Sequence, residues 1–299
     1  MTNEPWPELP LQLWRDTYAT LHMWTQIVGK VCLALTPKVN QYWNIAFQVS
    51  SRGLATPAMP CGGGRTLNMT FDFISHELIA KCSDGAVRSI PLAPRTVAVF
   101  YQDTLRMLHE LGVDVKIWTL PVEVPDPIRF ELDNTHASYD REYAHRFWQI
   151  LVRVAPVMQE FRGKFAGKCS PVHFFWGSFD LAVTRFSGRA APERPNADPI
   201  TREAYSQEVI SHGFWPGGGA VPAAAFYAYA APEPAGFKDA KAAPAEAFYN
   251  RELSEFILPY EAVRAQPSPA ATLRSFLQST YDAGARLGHW DRANLERPG

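Results

Sequence analysis

The segment with the most side chains capable of chemistry is VHFFWGSFDLAVTRFSGR, at positions 172–189. It places His173, Asp180 and Arg185 among aromatic residues. An imidazole can act as a general base or a metal ligand, a carboxylate can orient that imidazole, and a guanidinium can hold an anionic group. We therefore treat His173, Asp180 and Arg185 as candidate catalytic residues.

The spacing of these three residues imposes a geometric condition on any shared site. Residues 171–187 are the longest strand candidate in the chain. Alternate side chains of a regular strand point to opposite faces. His173 and Arg185 then share one face, while Asp180 lies on the other. A β-bulge at Gly177 would shift the register by one residue and bring His173 and Asp180 together. The alternative is a structural ion pair, in which Arg185 or Arg189 neutralises a buried Asp180 carboxylate.

Four further residues are predicted to line a ligand pocket, and they are Trp176, His136, Trp215 and Arg189. Aromatic side chains supply contact area in such pockets, and a few polar groups fix the orientation of the ligand. The glycine clusters at 62–64 and 217–219 match neither GxxxxGK[ST] nor GxGxxG, and neither leads directly into a helix. A nucleotide cofactor is therefore not expected.

A short motif occurs twice, as Ile-Ser-His at 74–76 and again at 210–212. If the chain contains a duplicated unit, His76 and His212 occupy equivalent places. Near a pseudo-two-fold axis the two imidazoles could converge on one metal ion or one anionic ligand, and histidine is a common metal ligand. The alternative is that they are two separate structural histidines. A metal is thus a candidate cofactor, with His76 and His212 as its ligands.

The elements that position these residues repeat in the same order. Apolar residues recur at helical spacing in 11–35 and in 95–112, and between these two segments apolar and polar residues alternate as in strands. The second half of the chain shows the same order of patterns. Consecutive strands without crossover helices indicate antiparallel sheet and the α+β class. We predict two pseudo-repeated helix–antiparallel meander–helix halves, which share one sheet or pack about a pseudo-two-fold axis. The first half spans 1–120, a connector spans 121–135, and the second half spans 136–299 with a loop insertion at 215–247; a single compact domain is the alternative.

The composition of the chain argues against nucleic acids and membranes as partners. The chain has 299 residues, with 29 Lys and Arg against 30 Asp and Glu, so it lacks the basic excess of a typical nucleic-acid-binding protein. It has no apolar run of the length needed to span a membrane. Its four cysteines are scattered, which is typical of free thiols in a cytoplasmic protein. The sequence thus predicts a cytoplasmic protein with no nucleic-acid or membrane partner.

The segment PVHFFWGSFDLAVTRFSGR (171–189) resembles a bacterial family known as domain of unknown function 5996. Similar segments are WTQIVGK (24–30), SYD (138–140), FWPGGG (214–219) and LQSTYDAGARL (277–287). The resemblance covers nearly the whole chain and implies a cytoplasmic bacterial protein. It implies no activity, substrate, cofactor or catalytic residue.

Three functional hypotheses follow. The first is an enzyme that acts on a small molecule in an aromatic-lined pocket of His, Asp and Arg side chains. The second is a non-catalytic module that binds a small molecule or a protein, in which the aromatic residues provide the affinity. The third is a structural homodimer that uses exposed sheet edges, so a homo-oligomer is a possible assembly.

Overall fold

A computed structural model describes residues 6–219 and 221–297. Three segments lie outside the described part: residues 1–5, residue 220 and residues 298–299. The first and last are at the ends of the two predicted halves, and residue 220 is in the predicted loop insertion. Within that part, no helix is long and apolar enough to cross a membrane.

The chain has an α+β fold, as the sequence predicted. The helices are α1 (Leu11–Leu35), α2 (Val97–Glu110), α3 (Arg141–Gly163), α4 (Pro199–Ala204), α5 (Tyr260–Arg264), α6 (Pro269–Leu287) and α7 (Arg292–Leu295). The strands are β1 (Gln48–Val49), β2 (Gly53–Ala55), β3 (Met59–Pro60), β4 (Thr66–Asp72), β5 (Glu77–Cys82), β6 (Val87–Pro91), β7 (His173–Phe175), β8 (Asp180–Ala190), β9 (Gln207–Trp215), β10 (Ala225–Ala231), β11 (Phe248–Asn250) and β12 (Glu255–Pro259).

The described residues form two compact units whose boundaries cut across the predicted halves. The N-terminal unit consists of residues 12–149 and 174–179, and the C-terminal unit consists of residues 6–11, 150–173 and 180–297. The change from one unit to the other thus occurs within α3 rather than in the connector at 121–135. The two halves were predicted from a repeated order of elements and not from compactness, so the duplication stays a prediction.

The sheet of the N-terminal unit has the strand order β1-β2-β4-β5-β6, with β3 also paired to β4. Alternation explains its buried face, because Leu67, Met69 and Phe71 of β4 are almost fully buried while the residues between them are half-buried. A tight turn at residues 83–86 joins β5 to β6. Gly85 adopts a positive φ of 92° there, which a glycine tolerates without a steric cost.

The second sheet has the strand order β11-β12-β10-β9-β8-β7, and its strands β8 to β12 belong to the C-terminal unit. The described chain therefore has two separate antiparallel sheets, and the expectation of one shared sheet is wrong. Both halves nevertheless run helix, strands, helix, and both contain a strand that ends at a proline, Pro91 or Pro259, shortly before a helix.

The predicted single strand at 171–187 is in fact two strands. β7 and β8 are separated by a turn over Trp176–Phe179, in which Phe179 has a φ of 59°. The turn replaces the predicted β-bulge at Gly177. Periodicity did not reveal it, because its aromatic residues extend the apolar pattern of both strands.

Candidate functional site

One face of the C-terminal sheet collects polar and aromatic side chains. In β8, Asp180, Ala182 and Thr184 share a face by alternation, and the sheet register places Ala182 opposite Gly213 and Thr184 opposite Ser211. The next pairing places Tyr227 opposite Gly213 and Tyr229 opposite Ser211. We call this surface the tyrosine face and define it by the side chains of Asp180, Thr184, Tyr205, Ser211, Trp215, Tyr227, Tyr229 and Glu255.

Glu255 and Trp215 belong to this face by the same register. Tyr227 lies opposite Ile257 of β12, so Glu255, two residues earlier, projects to the same side as Tyr227. Trp215 lies two residues beyond Gly213 in β9 and packs with Tyr227 against Val221, Ala225 and Ile257. Two residues predicted for a ligand site, Trp215 and Asp180, thus lie on one sheet face, and the ligand site itself stays a prediction.

Tyr227 connects the strands that carry the face. A Cβ atom at position 213 would overlap the Tyr227 ring, so a glycine in β9 allows that ring to lie across the sheet. The Tyr227 hydroxyl donates a hydrogen bond to Oδ2 of Asp180, which is 6% exposed. Burial raises the pKa of Tyr227 well above its usual range, and the negative charge of Asp180 raises it further. Tyr227 is therefore a permanent hydrogen-bond donor to the carboxylate.

Two further pairs of hydroxyl groups lie on the tyrosine face. The hydroxyls of Tyr205 and Tyr229 are 2.9 Å apart, and Oγ1 of Thr184 lies 2.8 Å from Oγ of Ser211. The rings of Tyr227 and Tyr229 are stacked with centroids 6.0 Å apart. Burial raises the pKa of Tyr205 and of Tyr229, so these phenols keep their protons at neutral pH.

Glu255 is the residue of this face best suited to exchange a proton. Burial, followed by the charge of Asp180, raises its pKa to about 7. Its carboxyl group therefore exists in both protonation states near neutral pH. A carboxyl group whose pKa is raised to near neutrality is a common feature of general acid–base catalysis.

The other predicted catalytic residues lie elsewhere. His173 is 4% exposed in β7, and in the chain a turn at 176–179, rather than the predicted bulge at Gly177, lies between it and Asp180. Burial, with a smaller contribution from the charge of Arg162, lowers the pKa of His173 to about 4. His173 is therefore a neutral buried imidazole.

Arg185 points to the face opposite Asp180, as strand alternation predicted. Its guanidinium lies 3.4 Å from the ring centroid of Phe161 and 4.2 Å from that of Tyr281, and it donates a hydrogen bond to the Phe161 carbonyl. It is 1% exposed, so it stabilises the interior of the unit and is not positioned to hold an anion beside Asp180. The alternative of an Asp180–Arg185 ion pair is also wrong for this reason.

Arg189 likewise has a structural role. It forms an ion pair with Glu208 at 2.6 Å and donates hydrogen bonds to the carbonyls of Gly288 and His289, at the end of α6. A cation in this position complements the negative end of a helix dipole. It therefore neither lines the tyrosine face nor pairs with Asp180.

Trp176 and His136 belong to the N-terminal unit. The indole nitrogen of Trp176 donates to the Ile45 carbonyl at 2.9 Å, and its ring packs against Gly29, where a Cβ would overlap it. Nδ1 of His136 lies 2.7 Å from Oδ2 of the buried Asp133. Trp176, with 4% exposure, is thus a core residue of its own unit, and His136 is held by a carboxylate.

The repeated histidines do not occupy equivalent positions. His76 lies in the turn before β5 with a φ of 58°, and its Nδ1 is 2.9 Å from the Tyr139 hydroxyl. His212 is fully buried in the middle of β9, with Nε2 3.0 Å from Oγ1 of Thr280. The two residues also belong to different compact units. In the described part of the chain, no three His, Cys, Asp or Glu side chains form a group able to hold a metal ion.

The tyrosines of this face and Glu255 were not among the residues predicted from the sequence. A usable signal was present in AFYAYAA (225–231), where Tyr227 and Tyr229 recur at the period of a strand beside small residues. Glu255 carried no local signal, because a glutamate at the start of a strand is usually exposed.

Comparisons of the chain with curated proteins and with solved structures find no significant match. The model of one family, described as a family of unknown function (DUF5996), matches residues 6–297, which is nearly the whole chain. The chain therefore belongs to this family, as the resemblance at 171–189 predicted.

Proposed function

We propose that the protein is an enzyme that uses the tyrosine face for general acid–base chemistry on a small molecule. The observation that supports this most directly is the placement of two carboxyl groups, Asp180 and Glu255, on one half-buried sheet face among three tyrosines. The Tyr227 phenol donates a hydrogen bond to Asp180, and burial together with the charge of Asp180 raises the pKa of Glu255 to about 7. Titratable groups with raised pKa values on one half-buried face are common in sites of acid–base chemistry.

The roles of these groups follow from their environments. Glu255, with a pKa of about 7, can donate a proton to a substrate heteroatom or accept one from it. Asp180 carries the negative charge that raises the pKa of Glu255, and the Tyr227 hydroxyl fixes its orientation. Asp180 would then hold a donor group or a basic nitrogen of the substrate, while Trp215 and Tyr229 contact its flat or apolar part.

The test is a small-molecule screen by ligand-detected NMR, followed by incubation of each hit with the protein. We expect at least one hit that binds the wild type, is lost in Asp180→Asn, and is converted by the wild type. Glu255→Gln should bind this compound and fail to convert it, because an amide cannot exchange the proton.

Glu233→Gln is the matched control, since Glu233 also accepts a hydrogen bond from a tyrosine hydroxyl, that of Tyr249, but is not part of the tyrosine face. This variant should bind and convert the hit normally. Conversion that persists in Glu255→Gln would overturn the proposed chemistry. Binding that persists in Asp180→Asn would place the ligand elsewhere.

The second candidate function is a non-catalytic binding module for a small molecule. The aromatic density of the face favours it, since Trp215 and three tyrosines would contribute most of the affinity without any proton transfer. A hit that is lost in Asp180→Asn, is never converted, and binds equally well to Glu255→Gln would support this module over the enzyme.

A further inference from the structure

A cavity lies in the C-terminal unit, on the side of the sheet opposite the tyrosine face. Glu208 and Ile210 of β9 line it, and both alternate in that strand with Ser211, which belongs to the tyrosine face. The cavity has a volume of about 160 Å³ and is partly open to solvent. Since a cavity of about 150 Å³ can hold a ring the size of benzene, this one has room for a small cyclic molecule.

Two glycines on one side of α6 keep this space open. Gly284 lies in α6 and Gly288 directly follows it, one helical turn further on. A Cβ at 284 would lie 2.9 Å from Cδ1 of Ile210, and a Cβ at 288 would lie 3.2 Å from Nε1 of Trp290. Gly288 has a φ of −80°, which any residue adopts, so space rather than backbone conformation favours glycine there.

Trp290 forms a fixed wall of the cavity and offers one polar atom to it. The residue is 8% exposed, and its ring packs against those of Tyr281 and Phe165, with centroids 6.2 and 6.5 Å away. Among the described residues, no group accepts a hydrogen bond from its indole N–H. Because buried indoles usually have an acceptor, this N–H is available to an oxygen atom of a ligand.

Two carboxylates also line the cavity, and each is held through one oxygen. Oε2 of Glu208 accepts hydrogen bonds from Nε and Nη2 of Arg189, at 2.9 and 2.6 Å. Oε2 of Glu233 accepts one from the Tyr249 hydroxyl. In the described part of the chain, Oε1 of neither glutamate accepts a hydrogen bond. Arg189 also donates to two carbonyls at the end of α6, so its donors are already engaged and the two free oxygens favour a cationic ligand.

We infer that this cavity binds a small cyclic primary amine that carries an oxygen acceptor. The ammonium group, which has three donors, bonds to the Oε1 atoms of Glu208 and Glu233. The ring of the ligand packs between Pro232 and Trp290, and its oxygen accepts the indole N–H. This site lies apart from the tyrosine face, so the inference does not depend on the proposed function.

The experiment titrates tetrahydrofurfurylamine, a primary amine with a ring oxygen, into the ¹⁵N-labelled protein. Two analogues of the same size are titrated in parallel: tetrahydrofurfuryl alcohol lacks the ammonium group, and cyclopentylmethylamine lacks the ring oxygen. The indole N–H resonances report binding, and Trp290→Phe identifies that of Trp290. Saturation-transfer difference spectra of the probe report binding even if this variant does not fold.

We expect the Trp290 resonance to shift and saturate at millimolar concentrations of the amine, as is usual for so small a ligand. The alcohol should bind at least about tenfold more weakly, because it makes no charge-assisted hydrogen bond. Cyclopentylmethylamine should bind but shift the Trp290 resonance less. Equal binding of the alcohol, an equal shift with cyclopentylmethylamine, or no saturable binding of the amine would overturn the inference.

Glutamine variants test the two carboxylates. Glu208→Gln and Glu233→Gln should each weaken the binding of the amine about tenfold. Glu246→Gln, which alters an exposed glutamate of the same unit that does not line the cavity, is the matched control and should bind normally. Since Glu233 is itself exposed, its variant decides the matter if Glu208→Gln does not fold. Unchanged affinity in Glu233→Gln would overturn the inference, and so would loss of binding in Asp180→Asn, which would place the amine on the tyrosine face.

Discussion

At the scale of single residues, the protein places ionisable side chains where burial controls their protonation. Glu255 and Tyr227 are both protonated more readily than in water, while the neighbouring Asp180 supplies negative charge. The buried His173 behaves in the opposite way, because burial disfavours its charged form. The pH dependence of the free energy of unfolding therefore tests the protonation states of these residues.

Glu255→Gln should be more stable than the wild type above neutral pH. The folded pKa of Glu255 is about 7, above the ordinary value of 4.5, so the stability this group contributes is complete below about 4.5 and is lost as pH rises to about 7. Glutamine never ionises, so the variant should gain up to about 3 kcal/mol relative to the wild type at about pH 8. Urea denaturation at about pH 5 and about pH 8 measures this difference, and a gap that does not widen with pH would contradict it.

At the scale of elements, the interior of the C-terminal unit depends on two kinds of contact. One joins a strand to the helices, and the other joins two neighbouring strands. Arg185 extends from β8 between Phe161 of α3 and Tyr281 of α6, and Gly213 of β9 accommodates the Tyr227 ring of β10. The first contact joins the sheet to its helices, and the second shapes the tyrosine face.

Arg185→Ala should destabilise the protein by about 3–5 kcal/mol, because it removes a large buried side chain and its cation–π contacts. Arg189→Ala, in which an exposed ion pair is lost, should cost about 1 kcal/mol or less. Guanidinium chloride denaturation of the two variants measures this contrast. Equal losses would show that the aromatic contacts of Arg185 contribute little to stability.

Gly213→Ala should destabilise the protein by about 1–3 kcal/mol, because the new methyl group would overlap the Tyr227 ring. The cost should disappear when Tyr227 is also alanine, since the two changes act on one contact. Gly163→Ala, where an added Cβ meets nothing within 4 Å, is the matched control. Urea denaturation of the double-mutant cycle tests the coupling, and additive losses would argue against it.

At the scale of the whole molecule, both units bury neutral histidines. Burial lowers the pKa of His22 in the N-terminal unit to about 4, and lowers those of His173 and His212 in the C-terminal unit to about 4 and about 3. Each histidine must be protonated when the chain unfolds in acid. Both units should therefore lose stability as the pH falls.

The sign of this effect is opposite to that of Glu255. A lowered histidine pKa contributes stability above about 6.5, and that stability is lost as pH falls towards the folded pKa of about 4. We expect about 1 kcal/mol of loss per pH unit for each histidine, and this outweighs the single gain at Glu255. Denaturation between about pH 7 and about pH 5 measures the slope, which should be shallower in His212→Asn. Higher stability at about pH 5 would contradict this expectation.

The sequence by itself determined the class of the fold and many of its elements. The helices at 11–35 and 269–287 were predictable because their apolar side chains recur at the helical period. The buried face of β4 was predictable from the alternation of its apolar residues. Alternation also predicted correctly that Asp180 and Arg185 lie on opposite faces. These properties depend on neighbours in the chain, which the sequence displays directly.

Only the tertiary structure decided which side chains meet at the tyrosine face. Asp180, Tyr227 and Glu255 are far apart in the chain, and their proximity depends on the register of four strands. The turn at 176–179 divides the segment into β7 and β8, although local hydrophobicity favoured one continuous strand. Register and turn position are set by the packing of distant segments, so no local pattern could have shown them.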